Sequence, residues 1–195
     1  MNNLAFTVET HSGMVVDLVN PKPEQIYIHD IAWSLSRQSR FNGHTSGSIS
    51  YSVAQHSCWV ATRVLHETKD RHAALYALLH DAHEAYIGDI VSPLKNIARL
   101  SHVVGDIERA LQYTIHQAYD LPPPAQRIID VIKHYDRLAL AVEAYHLLPS
   151  RGNGWGLPTP DDETLALFDN PTTSARAYCG FIVLWEQLKA QQVAA

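Results

Sequence analysis

LLHDAHEAYIGDI occupies residues 78–90, and its reading decides the fold. The apolar run Leu75-Tyr76-Ala77-Leu78-Leu79 leads straight into His80-Asp81. The spacing predicts a helix from about Asp70 to Ile87, closed by Gly88, a residue suited to the left-handed position that ends a helix. An apolar helix that delivers a histidine and an aspartate in succession puts metal-ligand side chains against a core, where an uncompensated carboxylate is costly.

Working outward, the same helical period recurs on both sides. Upstream, Ser52-Val53-Ala54-Gln55 has the form of a capping box, with Gln55 able to reach back to Ser52. The helix it opens carries Val53, Val60, Ala61 and Val64 on one face, and His56 points the same way. Ile28, Ile31, Ala32 and Leu35 predict a further helix running to about Arg40, broken by Asn42-Gly43. Before it, AFTVET and MVVDLV around His11-Ser12-Gly13 read as a β-hairpin.

Downstream, Ser92-Pro93 reads as an N-cap followed by proline at the first helical position. Val103, Val104, Ile107, Leu111, Ile115 and Ala118 form one stripe of a helix reaching about Tyr119, with a break near Ser101. After Pro122-Pro123-Pro124 a long helix spans about Ala125 to Leu148, with Ile129, Ile132, Asp136, Ala139 and Val142 on its inward stripe. Residues 149–172 read as a loop. Tyr178, Phe181, Ile182, Trp185 and Leu188 make a closing amphipathic helix. The expected architecture is all-α: a compact helical bundle with a short N-terminal β-hairpin, one domain over residues 1–195.

Composition narrows the function classes. The 195 residues are 46% hydrophobic and 18% charged, with net charge −5, an ordinary globular balance. No basic excess points to long nucleic acid or an anionic membrane, so any anionic ligand needs a local site. Cys58 and Cys179 are too few for a disulfide framework or a cysteine zinc cage, and fit buried, unpaired thiols in a reducing cytoplasm. MNNLAFTVET lacks the features of a secretory signal, and no segment reaches the ~20 apolar residues of a membrane helix. There is no glycine-rich phosphate loop, no GxSxG elbow, and no second histidine at zincin spacing after His83-Glu84.

Four ligand-type positions face inward: His56, His80, Asp81 and Asp136. Taken singly, each reads as a hydrogen-bonded core histidine or a capping or ion-paired aspartate. Taken together, two imidazoles and two carboxylates suit one divalent Zn, Mn, Fe, Co or Ni ion. Spacing across separate helices does not choose between these readings.

The segments SVAQHS (52–57), LLHDAHEAYIGDI (78–90) and HYDRLAL (134–140) resemble the H…HD…D signature of the HD-domain phosphohydrolase superfamily. The resemblance extends to RFNGH (40–44) and SPLK (92–95), covering most of residues 13–145. It is to the branch of 5′-deoxynucleotidases and small phage deoxynucleoside triphosphohydrolases. It implies an all-helical fold with one catalytic divalent metal on His56, His80, Asp81 and Asp136. It implies that Glu84 and Asp89 position or deprotonate the attacking water and protonate the leaving oxygen. Arg40 and Phe41 match the family's arginine–aromatic pair at phosphate and sugar, and Lys95 its phosphate-binding lysine. His44, near Arg40, is placed at the substrate entrance; His83 is placed as a neighbouring contact.

The expected activity is hydrolysis of the 5′-phosphoester of a (deoxy)nucleoside monophosphate in a homo-oligomer. Two alternatives stand beside it. One is release of triphosphate from a dNTP, with Arg37, Arg40, Lys95 and Arg99 along the phosphates. The other is a non-catalytic nucleotide-binding HD domain.

Overall fold

Asp70 opens the helix that carries the deciding stretch, its carboxylate accepting the N–H groups of His72 and Ala73 at 2.8 and 3.2 Å. In the computed structural model, which describes residues 4–190 with the side chain of Arg99 excepted, that helix stops eight residues later. The chain forms β1 (Thr7–Glu9), β2 (Val15–Asp17), α1 (Ile28–Leu35), α2 (Val53–Thr68), α3 (Arg71–Leu78) and α4 (Glu84–Ile87). It continues as α5 (Ser92–Lys95), α6 (Ala98–Ala118), α7 (Gln126–Leu147), α8 (Asp162–Leu165) and α9 (Ser174–Lys189). The all-α class with a two-stranded antiparallel hairpin is as the periodicity requires. No helix among the described residues is long and apolar enough to cross a membrane.

α2 is the hub. It packs against α3, α7 and α9, and its buried residues Val53, Ala54, Val60, Ala61 and Val64 meet Leu75, Leu78, Val142, Phe181 and Trp185 in one core. The hairpin is strapped onto this body by the buried Asp30 of α1. Asp30 accepts Thr10 Oγ1–H at 2.7 Å, Ser12 N–H at 2.9 Å and Ser12 Oγ–H at 2.6 Å. A buried carboxylate with three donors is stable where an unpaired one is not.

Several boundaries differ from the periodicity, each for a local reason. α1 ends at Leu35, not Arg40, because residues 38–40 pair with 51–53: Arg40 N–H reaches Tyr51 O at 2.9 Å and Val53 N–H reaches Gln38 O at 3.1 Å. The helix expected over 70–87 is two helices. His80 turns its ring onto the Ala77 carbonyl at 2.7 Å, and residues 80–83 form turns before α4 begins. Gly88 ends α4 at φ +84°, as required. Ser92 is the first residue of α5 rather than its cap, and the break comes at Asn96-Ile97 rather than Ser101. Val103 is exposed, not inward. The 149–172 segment contains α8, N-capped by Asp161.

The Ser52 cap forms, with Ser52 Oγ accepting Gln55 N–H, but Gln55 does not reach back. Its amide instead binds Asn170 O and Thr172 N–H, pinning the segment before α9. Cys58 and Cys179 are unpaired; Cys58 is largely shielded, with burial pushing its thiol up to about 12, whereas Cys179 is exposed, contrary to expectation.

Asp30→Ala removes the acceptor for three hairpin donors and leaves the Ser12 N–H without its partner. The expected cost is ~2 kcal/mol, a fall of roughly 4–8 °C in Tm, measured by thermal melting of the variant against the parent.

Candidate metal centre

Three elements converge on one point. His56 lies in the first turn of α2 and is fully buried. His80 and Asp81 sit in the turn that ends α3, and Asp136 projects from the middle of α7. His56 Nε2 stands 3.3 Å from His80 Nε2, 3.2 Å from Asp136 Oδ1 and 3.6 Å from Asp81 Oδ2. His80 Nε2 is 3.1 Å from Asp81 Oδ2 and 3.9 Å from Asp136 Oδ1. Ligand atoms each ~2.1 Å from one ion stand about 3.0 Å apart at right angles and about 3.4 Å apart at tetrahedral angles. The His56, His80 and Asp136 ligand atoms, 3.2 to 3.9 Å apart, come together as one group near that scale, while Asp81 approaches the two imidazoles at 3.1 and 3.6 Å.

The outer nitrogens of both histidines fix the tautomers. His80 Nδ1 faces a backbone carbonyl, which only accepts, and His56 Nδ1 donates to Glu143 Oε1 at 2.7 Å. In the neutral rings the two Nε2 lone pairs therefore face one another and two carboxylates. This is the arrangement in which metal-ligating histidines are held by an outer carbonyl or carboxylate. The donor set fits a divalent ion of the Zn, Mn, Fe, Co or Ni type.

The electrostatics agree. Burial pushes the His80 imidazole down, but Asp81 and Asp136 outweigh it and hold the ring well above its ordinary value. Burial and Arg40 lower His56, yet Glu143 and Asp136 raise it on balance. Burial works against ionised Asp81 and Asp136 too, and the two histidines more than compensate, so both carboxyls lie below the usual range. Asp136 is not buried as its stripe position suggested. Its side chain is 43% exposed, so the cluster opens to solvent on that side.

No protein-family model matches the chain. The uncharacterized protein YfdR of Escherichia coli (strain K12) is 36% identical over 160 residues, which is 79% of this chain and 82% of YfdR. The uncharacterized protein RCAP_rcc00048 of Rhodobacter capsulatus is 36% identical over 137 residues, 68% of each chain. The chain belongs to the YfdR family. Both matches cover more than two thirds of this chain and of the relative.

Around the four ligand-type residues lie two polar layers that the primary structure only partly disclosed. Arg40 is not a free cation. Its Nε and Nη2 both bind Glu143 Oε2, at 3.0 and 2.9 Å. Glu143 is thus a buried bridge between Arg40 and His56, and the two cations hold its carboxyl below the ordinary range despite burial. Glu143 follows Asp136 by two helical turns and Ala139 by one, a position on the inward stripe of α7 that could have singled it out.

Glu84 is also buried, which excludes a solvated helix-face charge. Its Oε1 is 3.9 Å from Lys95 Nζ, and its Oε2 is buried without a hydrogen-bond partner. Burial, then the neighbouring Asp81 and Asp89 charges, push its carboxyl up to about 9. Asp89 turns back past Gly88 into the field of Arg40, Asp81 and Lys95, its carboxyl raised by burial. Lys95 is clamped by Glu108 at 2.8 Å, and Glu108 also faces His83 at 3.7 Å. His83, placed as a neighbouring contact, is buried and bonds Gln112 at 3.1 Å.

Phe41 is half-buried at the rim, held at φ +55°, 6.3 Å from the Trp155 ring; His44 is exposed beside it. Trp155 was not singled out, because it lies far along the chain in a loop without periodicity. Arg37 does not join Arg40. It stacks on Trp33 and binds the Trp33 carbonyl at 2.9 Å. The Arg99 side chain lies outside the described residues.

Protons and metal compete for the same imidazoles, and both rings have raised affinity for protons. Affinity for Mn²⁺ or Zn²⁺ should therefore fall as pH drops from 8 to 6, with protons released on binding. Calorimetry in buffers of different ionisation enthalpy measures this, and Asp81→Ala should abolish retention of the ion. Glu143→Gln should weaken metal binding by about 10–100-fold, because His56 loses its charged partner; a competition titration against a chelator measures it.

Proposed function

We propose that the protein is a metal-dependent phosphohydrolase that removes the 5′-phosphate of a (deoxy)nucleoside monophosphate. The observation that carries this reading is the convergence of His56, His80, Asp81 and Asp136 beside a buried acid, Glu84, that has one oxygen without a partner. The resemblance of the HD stretch to HD-domain phosphohydrolases supports it. A divalent ion bound there supplies Lewis acidity and a water of lowered pKa.

The chain's own residues supply the remainder. Glu84 is held as a proton carrier: a carboxyl raised to about 9 keeps its proton at neutral pH in the metal-free protein and can give it to a leaving oxygen. Asp89, in the same field, orients a water or an acid partner. Glu143 fixes Nε and Nη2 of Arg40, so the guanidinium is preorganised and Nη1 is left for a phosphate oxygen. Lys95, held by Glu108, offsets charge on a phosphoryl group near Glu84. Phe41 and Trp155 form an aromatic rim on which a sugar or base can rest.

The short phosphate chain is favoured by where the cations lie. Arg40 and Lys95 share electrostatic contact with Glu84 and Asp89, whereas Arg37 is committed to Trp33. A triphosphate would need further cations in line with these two.

Glu84→Gln should keep the metal and lose turnover by on the order of 10²–10⁴-fold. The substitution is mild for the fold, since it replaces a carboxyl already neutral below about pH 9. By linkage, this raised carboxyl lowers stability as pH rises from 4.5 toward 9, and the amide does not, so the variant should melt no lower than the parent at pH 8. The reaction itself is tested with dAMP and dATP in Mn²⁺ or Co²⁺. Inorganic phosphate from dAMP is expected. Triphosphate from dATP with dAMP untouched would replace this reading with the longer substrate, and binding without any product would make the domain a nucleotide-binding one.

A further inference from the structure

α9 is buried on one face only. Ala177, Phe181, Trp185 and Leu188 enter the core, where the helix packs on α1, α2 and α3. The opposite face carries Arg176, Cys179, Gly180, Val183 and Glu186, all exposed. At about 100° per residue, these five fall within about 60° on either side of Val183, so they form one continuous outward strip.

The middle of the strip is not built for water. Val183 is 54% exposed, and Cys179 and Gly180 beside it carry no charge. A solvated helix face ordinarily holds charged or polar side chains at such positions. Gly180 is the sharper anomaly, since glycine is a poor helix former in a helix interior. Its backbone is not in the left-handed region, and a Cβ built on it meets nothing within 4 Å. Neither conformation nor crowding within the chain calls for glycine there. A missing side chain on an outward face leaves room for another backbone to come close.

Charge then selects the occupant. Arg176 stands near the start of the strip and Glu186 near its end, about 15 Å apart along the axis. Neither has an ion-pair partner among the described residues. Laid antiparallel on itself about a twofold axis near Phe181, the strip is its own complement. Arg176 of each copy meets Glu186 of the other, Cys179 meets Val183, and the two Gly180 backbones lie beside the axis, where crossing helices are closest. A parallel pairing would set like charges together.

We infer that the outward face of α9 binds a second copy of the chain, forming an antiparallel α9–α9 dimer. A helix of 16 residues is about 24 Å long, and one such pair lies at the lower end of stable interfaces, so the dimer dissociates on dilution.

The test is sedimentation velocity of the full chain from about 1 to 200 μM, the span over which a modest interface associates. A thiol-reactive dye gives a second readout. Cys58 is shielded, with its thiol pushed up to about 12, so labelling reports the exposed Cys179. A concentration-dependent dimer is expected, with Cys179 labelling slowed as it forms. Gly180→Leu should weaken the dimer about 10-fold or more by blocking the close approach, although leucine favours a helix. At concentrations where both are monomeric, that variant should melt no lower than the parent, which separates a lost interface from a damaged fold. Arg176→Glu and Glu186→Arg should each weaken the dimer by turning two attractions into two repulsions. An equimolar mixture of these two variants should recover the association, because each charge again faces its opposite. A chain that stays monomeric throughout overturns the inference. So does an oligomer that Gly180→Leu and both reversals leave unchanged, or a mixture no more associated than its separate components. None of these readouts involves the metal centre or the reaction proposed above.

Discussion

One buried carboxylate organises the centre of this protein. Glu143 accepts from His56 Nδ1 through one oxygen and from two nitrogens of Arg40 through the other. An isolated charge in that position would be severely destabilising, and so would an isolated guanidinium. Their pairing makes each tolerable, and it does more than neutralise. It sets which nitrogen of His56 carries a proton, and so turns the other toward His80, Asp81 and Asp136. It also holds Arg40 in one orientation at the edge of the same cluster. The α2–α7 packing that brings His56 beneath Glu143 is therefore a condition of the site, not merely of stability.

The second constraint is the interruption of the helix at His80. A continuous helix over 70–87 would carry His80 and Asp81 around its axis by ~100° per residue, sending one away from His56. The turn over residues 80–83 lets both approach His56 Nε2, and the His80 ring bonds the Ala77 carbonyl at the end of α3. Restarting as α4 then buries Glu84 next to Asp81. The cost is a carboxyl raised to about 9 with an unpartnered oxygen.

The left-handed Phe41 and Asn42, at φ +55° and +52°, belong to the same economy of placement. The backbone pairing of residues 38–40 with 51–53 ends α1 early and swings the chain so that Arg40 points inward while Phe41 stays at the rim. Without that pairing, the period of α1 would have run on and carried Arg40 along its surface. On the other face of α1, Trp33 and Arg37 are left to a cleft beneath the hairpin.

Periodicity alone determined the helical class, the hairpin, the start of α2, the approximate extent of α7, the existence of the closing helix α9, and the inward direction of His56. These follow from local spacing, because an apolar stripe at helical period has few other ways to be buried. The four ligand-type residues were legible as candidates, and the HD stretch made them a set through its resemblance to known hydrolases. Only the tertiary structure decided that Arg40 and Lys95 are held by Glu143 and Glu108, that Asp136 is half-open to solvent, and that Arg37 belongs to another cleft. The physical reason is that a salt bridge between α7 and the segment after α1, or between α5 and α6, joins residues whose separation in sequence carries no period. Such partners are chosen by how the helices pack, and packing is a property of the whole chain.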